Sequence, residues 1–402
     1  MIIRPAKRTE TVKEYFFSLK NKEIAKLNAE RAARGEDPVI NLGIGSPDRM
    51  PPAAVVEALR ESALKSDSHK YQAYTGLPAF KEAASRWYSR YYGVELDPVT
   101  EIQPLMGSKE GILITFLTFI NEGDKVLIPD PGYPTYSSAA RIVGADVVYY
   151  DLKEENGWLP DIEALEKTDL SGVKMMWTNY PGMPTGAKAT AELYQNLVDF
   201  ALRHNILLVN DNPYSFILNE KPLSMLAAKG AKECVIELNS LSKAHNMSGW
   251  RIGMFAAAPD YIKELLKIKS QMDSGCFKPL HVASAVALDQ GDEWFAELNS
   301  EYRQRKDLVW SLFDMLGAKY DKDTAGLFVW GKVTPDNKFL AGTDESKTLG
   351  ERLSDKFLYE AGVFITPGLV FGHNGENYIR ASLCATQPVI KEAIRKIKEL
   401  TE

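Results

Sequence analysis

The sequence predicts an α/β fold in which a larger unit carries a mostly parallel sheet between helices and a smaller α+β unit follows it. Three observations support this. Short apolar runs at residues 125–128, 145–150, 173–178, 206–210, 234–239 and 251–256 alternate with helical patterns, the arrangement of a parallel sheet covered on both faces. Polar clusters follow four of those runs: PDPGYPTY at 129–136, TNYPGMPTG at 178–186, NDNPY at 210–214 and SLSK at 240–243. Ligands collect beyond the carboxyl ends of such strands, so the four clusters are expected to converge on one site. From about residue 290 the character changes to a long helix (294–316), AGLFVW, a helix (346–359), VFITPG, NYIRASL and a closing helix (388–400). The expected organisation is an N-terminal segment (1–48) packing with the small unit, a large domain (49–290) and a small C-terminal domain (291–402).

Before the alternating region, residues 12–34 repeat apolar side chains at a helical period (Val12, Tyr15, Phe16, Leu19, Ile24, Leu27) and end at Gly35, which predicts an amphipathic helix or helix pair. VINLGIGSPD then runs from a short strand into Gly43 and Gly45. Two glycines allow a close backbone approach to a ligand, but without a third glycine they are weak evidence for a dinucleotide site, and a simple turn is an equal alternative. Pro51 and Pro52 start a helix with Val55, Val56, Leu59 and Ala63 on one face. HKYQAYTGLPAF is a loop, and Phe80, Ala83, Ala84, Trp87, Tyr88 and Tyr91 mark the core face of the next helix. GSKEGILITFLTFI starts at Gly107, Ser108 and Lys109 and continues as a helix apolar all round, which predicts burial on every side. Its polar start suits a phosphate, because free amides and the helix dipole favour an anion; an ordinary cap is the alternative.

The totals narrow the partners. Forty-five per cent hydrophobic and 25% charged residues describe an ordinary globular chain, and a net charge of -6 without a basic stripe disfavours nucleic acid. No apolar run approaches the ~20 residues that span a bilayer, and MIIRPAKRTE lacks the apolar part of a signal peptide, so the expected compartment is the cytoplasm. Cys234, Cys276 and Cys384 are scattered and odd in number, and the five histidines lack ligand spacing, so neither disulfides nor a metal is expected. His245 draws notice only for its proximity to Lys243.

The stretch SLSKAHNMSGWRIG (240–253) places Lys243 after a buried apolar run, with Ser240 and Ser242 before it and Arg251 after it. Taken alone it reads equally as a basic loop opening a helix. Together with Asp211 at the end of another run it suits pyridoxal 5′-phosphate, with Lys243 holding the aldehyde as an imine and Asp211 keeping the pyridine nitrogen protonated. Tyr133 would stack on the ring, and Tyr214 would reach the phenolic oxygen. Ser108, the amides of Ser108 and Lys109, Ser240, Ser242 and Arg251 would take the phosphate.

Over nearly its whole length the chain resembles the class I/II aminotransferases, fold-type I pyridoxal-phosphate enzymes. The resemblance rests on the Lys243-to-Arg251 spacing, Asp211 with Tyr214, PDPGYPTY, the PTG of 184–186, and Arg380 in YIRAS. It implies a seven-stranded, mostly parallel sheet and a homodimer with shared active sites. By residue, it implies that Arg380 pairs with the substrate α-carboxylate, that Gly45 lies near that carboxylate, and that Tyr71 reaches the phosphate of the partner subunit. The implied reaction moves an amino group from an L-amino acid to a 2-oxo acid such as 2-oxoglutarate in two half-reactions, with Lys243 as anchor and base. GSKEGI, PDPGYP and MDSGCF are most similar to the branch of alanine, aspartate and LL-diaminopimelate aminotransferases, but they build the cofactor cradle rather than read a side chain. Lys109, Gln271 and Tyr74 are weaker candidates for the substrate end.

One position departs from the family. Met183 stands where an asparagine normally contacts the cofactor, which leaves Asn179, Tyr214 or a water to replace its hydrogen bonds. Loss of that donor is expected to raise the pKa of the imine. Among competing readings, a β-lyase on a sulfur-containing amino acid would use the same residues. A non-catalytic regulatory domain would carry an added DNA-binding segment, for which ~40 residues before VINLGIG are too few. A nicotinamide enzyme has no use for SLSK.

Overall fold

In the computed structural model, which describes residues 2–401, the chain builds three sheets. Strand β1 (Ile40–Asn41) leads in, followed by β2 (Ile102–Leu105), β3 (Lys125–Asp130), β4 (Asp146–Asp151), β5 (Val173–Asn179), β6 (Leu207–Asp211), β7 (Val235–Ser240) and β8 (Gly253–Ala257). The last seven of these form one sheet in the order β2-β8-β7-β6-β5-β3-β4. Strands β3 to β7 are parallel, so their carboxyl ends share one edge. Strand β8 is antiparallel to β7, and β2 to β8. The chain returns from β7 to β8 without a crossover helix, and such a return can only be antiparallel. The sequence pattern did not reveal β2, because Pro104 lies inside it; a proline is tolerated there because β2 is an edge strand.

Alternation along the strands sorts the core. Val126 and Ile128, Met175 and Trp177, and Ile236 and Leu238 point to one face, whereas Leu127, Met176 and Val235 point to the other. Five early helices surround these layers: α1 (Phe16–Ala33), α2 (Ala53–Ala63), α3 (Pro78–Tyr92), α4 (Ser108–Phe119) and α5 (Pro134–Val143). Helix α1 starts at Phe16 rather than before Val12, and only Ile24 in it is buried. Helix α4 corrects the expectation of burial on every side. Its Gly111 face lies so close to Leu238 and Leu105 that a Cβ there would sit 2.6 Å from Leu238 Cδ2, but Leu117 on the far side is exposed and Leu113 half-buried.

Beyond the helix Lys278–Leu288, a long helix (Asp292–Leu316) leads to β9 (Lys319–Tyr320), β10 (Phe328–Lys332), β11 (Val363–Phe364), β12 (Thr366–Pro367) and β13 (Tyr378–Ser382). The second sheet has the order β12-β13-β10-β9, and β1 pairs in parallel with β11. The segment after residue 39 is thereby bound to the C-terminal unit before the chain enters the large sheet. Among the described residues no helix is long and apolar enough to cross a membrane, and no cluster of His, Cys, Asp and Glu is arranged to hold a metal. All three cysteines are free thiols.

Candidate active site

A cavity of about 470 Å³ opens at the carboxyl edge of the large sheet. Four of the five parallel strands contribute at their ends: Tyr133 follows β3, Asn179 ends β5, Asp211 ends β6 with Tyr214 beyond it, and Ser240 ends β7 with Ser242 and Lys243 beyond it, whereas the edge strand β4 contributes nothing. Helix α4 presents Ser108 and Lys109, Arg251 lies just before β8, and β13 brings Arg380 across from the second sheet. Gly45 lines the same space. Tyr71 does not: it is 91% exposed, outside the cavity of its own chain. Gln271 and Tyr74 also lie outside it, and His245 is buried between Trp87 and Phe295.

At one end of the cavity the backbone forms a cradle. Gly107 precedes α4 with φ +80°, and a Cβ there would lie 2.1 Å from Arg251 Nη2. A Cβ on Gly253 would lie 2.6 Å from the Ser108 amide. Ser240 Oγ donates to Ser242 Oγ at 2.8 Å, and Arg251 Nη1 donates to Ser248 O at 2.9 Å. Hydroxyls, a guanidinium and the free amides of a helix start, drawn together by side-chain-free backbone, are a donor set for a phosphate.

Next to the cradle, Lys243 Nζ donates to Gly45 O at 2.5 Å. Burial lowers its pKa from the ordinary amine value, and the nearby Arg251 and Arg380 cations act in the same direction. Asp211 lies opposite. Its Oδ2 accepts from Tyr136 Oη at 2.8 Å, whereas Oδ1 is buried with no partner. Burial pushes this carboxyl up to about 6, against the pull of Tyr136 and Lys243. A buried carboxylate oxygen left without a partner on a residue that lines a cavity suits a cationic or N–H donor from a ligand. With the phosphate cradle and the amine, it fits pyridoxal phosphate.

The far end holds Arg380, 3% exposed, which donates from Nη2 to Gly43 O at 2.6 Å and from Nη1 to Met183 Sδ at 3.1 Å, while its Nε has no partner. The guanidinium carbon lies 3.9 Å from the Phe328 ring centroid and 4.5 Å from that of Phe371. Burial lowers its pKa to about 10, so it stays cationic at neutral pH, against aromatic rings and with no carboxylate partner among the described residues. Asn179 does not stand free in place of the missing asparagine, because its Oδ1 accepts from Met183 N at 2.8 Å and its Nδ2 donates to Asp211 O at 2.6 Å.

The sequence pattern did not mark Tyr136, nor Tyr15, Phe17, Phe328 and Phe371, which wall the Arg380 end. Tyr15 also places its ring 4.2 Å from Lys109 Nζ. Tyr136 follows Tyr133 by one helical turn in PDPGYPTY, a spacing that could have signalled it.

The sheet, the cradle and the buried amine define a fold-type I pyridoxal-phosphate transferase. Residues 37–397 match the family model of aminotransferase class I and II, and the chain belongs to that pyridoxal-phosphate-dependent family. It is 39% identical over 398 residues to an LL-diaminopimelate aminotransferase of Oleidesulfovibrio alaskensis, covering 98% of each chain. An LL-diaminopimelate aminotransferase of Aquifex aeolicus is 38% identical over 395 residues, again covering 98% of each. Among solved structures, substrate-bound BacF from Bacillus subtilis superposes with a TM-score of 0.90 at 33% identity, covering all of this chain and 98% of that one. The chain is an aminotransferase.

Proposed function

We propose that the enzyme moves an amino group from an L-amino acid to a 2-oxo acid, with 2-oxoglutarate as acceptor, in two half-reactions at this one pocket. The observation that carries the proposal is a single cavity lined by Lys243, by Asp211 with an orphaned carboxylate oxygen, and by the buried guanidinium of Arg380. When bound, pyridoxal phosphate supplies an aldehyde that condenses with amines and a ring that takes up the electron pair left on the α-carbon. Ser108, Ser240, Ser242, Arg251 and the α4 amides would hold its phosphate, Asp211 Oδ1 would accept from its ring nitrogen, Tyr214 would reach its phenolic oxygen, and Tyr133 and Asn179 would flank it; all of them line the cavity. Arg380 binds the α-carboxylate of the amino acid through its planar fork. Gly45 stands beside it.

Lys243 would be the group that takes and returns the proton at the substrate α-carbon. Burial lowers its pKa from the ordinary amine value, the direction that favours a proton acceptor. Lys109 at the mouth would meet a distal carboxylate, as 2-oxoglutarate carries, and the names of the relatives make LL-diaminopimelate the first donor to test. The aromatic wall of Tyr15, Phe17, Phe328 and Phe371 favours adding aromatic donors to the panel. We further propose a homodimer in which Tyr71 of each chain completes the phosphate site of the other; its exposure supports this.

The test is an absorbance spectrum with and without borohydride, then a donor panel against 2-oxoglutarate. A pyridoxyl label on Lys243 and glutamate formed in step with a 2-oxo acid are expected. Pyruvate and ammonia released without an acceptor would replace the proposal with a β-lyase.

A further inference from the structure

Tyr136 lies outside the set of residues just assigned to cofactor and substrate, yet no side chain is tied more closely to Asp211. Its Oη donates to Oδ2 at 2.8 Å, and its ring is fully buried. It stacks on Trp177 with centroids 4.8 Å apart and planes 22° apart, and Trp177 stacks in turn on Phe116 at 5.3 Å. Tyr133 meets it edge-on at 5.5 Å. A ring wedged this way cannot swing its phenol elsewhere, and a phenol has one hydrogen to give. One oxygen of Asp211 is therefore filled by the protein and the other is left for a ligand.

The other groups facing Asp211 balance poorly. Lys243 favours its charged form, Glu237 on β7 opposes it, Tyr133 and Tyr214 bring phenols to the same site, and Asn179 binds only its main-chain oxygen. Burial, the largest influence, favours the neutral acid. The hydrogen bond from Tyr136 is the strongest of the opposing influences.

We infer that Tyr136 is a positioning residue whose phenol holds Asp211 ionised with Oδ1 turned to the cavity, and that it thereby sets the acid limit below which the site releases its cofactor. This rests on Asp211 being the partner of the ring nitrogen, as proposed above. One charge-assisted hydrogen bond corresponds to a shift of roughly one pH unit or more.

The test uses the apoprotein and pyridoxine 5′-phosphate, which has the ring nitrogen and phosphate but no aldehyde, so that amine chemistry does not enter. Its dissociation constant is measured by equilibrium dialysis across about pH 5 to about pH 8, the range that brackets Asp211, for the wild type, Tyr136→Phe, the protein with 3-fluorotyrosine at position 136, and Asp211→Asn. The ionisation of the ligand's phosphate is common to all four proteins. Tyr136→Phe keeps the stacked ring and is expected to raise the acid midpoint by roughly one unit, whereas the fluorinated phenol, a stronger donor, lowers it. Weaker binding by an equal factor at every pH in Tyr136→Phe, or an unmoved midpoint with fluorotyrosine, would mean that Tyr136 only packs, and would overturn the inference. A wild-type pH profile in Asp211→Asn would overturn the reading of Asp211 itself, so the two failures are distinguishable.

Discussion

Met183 Sδ lies 3.1 Å from Arg380 Nη1, so a thioether occupies one donor of the guanidinium that lines the cavity. A thioether accepts weakly and donates nothing. The Asn179 amide accepts from Met183 N and gives one N–H to Asp211 O, so at most one N–H of that side chain remains for the cavity, where an asparagine at 183 would bring an amide of its own. The Met183→Asn variant is therefore expected to lower the pH midpoint of the bound cofactor's absorbance change, and an unshifted midpoint in a spectral titration would sink this account.

Lys243→Ala removes the amine proposed both to receive the aldehyde and to move the proton, but leaves the cradle intact. Dialysed protein should retain cofactor, while turnover in single-turnover absorbance assays falls by about 10³-fold or more. Residual transamination within ten-fold of wild type would show that another group carries the proton.

The cradle tolerates no side chain at Gly107. Its φ of +80° disfavours any L-residue, and an added Cβ would press on Arg251 at 2.1 Å. Gly107→Ala is expected to weaken cofactor binding at least ten-fold, by loss of one charge-assisted contact of ~1.5–3 kcal/mol, with only a small change in the melting temperature of the apoprotein. An unaltered dissociation constant would place the phosphate elsewhere.

The shared-site proposal has a complementation test. Mixed dimers of a Tyr71→Phe chain with a Lys243→Ala chain contain one site with native Lys243 and native Tyr71. That site should bind cofactor as the wild type does, whereas Tyr71→Phe homodimers bind it more weakly. Equal affinity in Tyr71→Phe and wild-type homodimers would confine each site to one chain.

Much of the site was legible because parallel sheets bring their strand ends to one edge, and the residues there are marked by local punctuation. PDPGYPTY, NDNPY and SLSK each announce a loop after an apolar run, so Tyr133, Asp211 and Lys243 could be placed together without knowing the strand order. Tyr136 was hidden because it occupies a core position of α5, where an aromatic residue needs no further explanation. The contact between Met183 and Arg380 joins residues 197 apart in sequence, and nothing local to either chain segment announces it. Tyr15 read as part of the face of an amphipathic helix and Phe17 carried no signal of its own, and only the placement of the start of α1 against the cavity makes them a wall. Strand β2 was missed for its proline, and the exposure of Leu117 shows that an all-apolar helix can keep one side uncovered within a single chain.

The antiparallel return from β7 to β8 has one more consequence. Ser240 and Gly253 are register partners, so the residues between them form a closed ring pinned at its base. Lys243 and Arg251 both lie on that ring, the one proposed for the aldehyde end of the cofactor and the other for its phosphate. A single molecule held at both points spans the ring like a staple, so that holo and apo proteins should differ in the rigidity of this one sheet margin, and the anchoring lysine and the phosphate grip would be lost or kept as a unit.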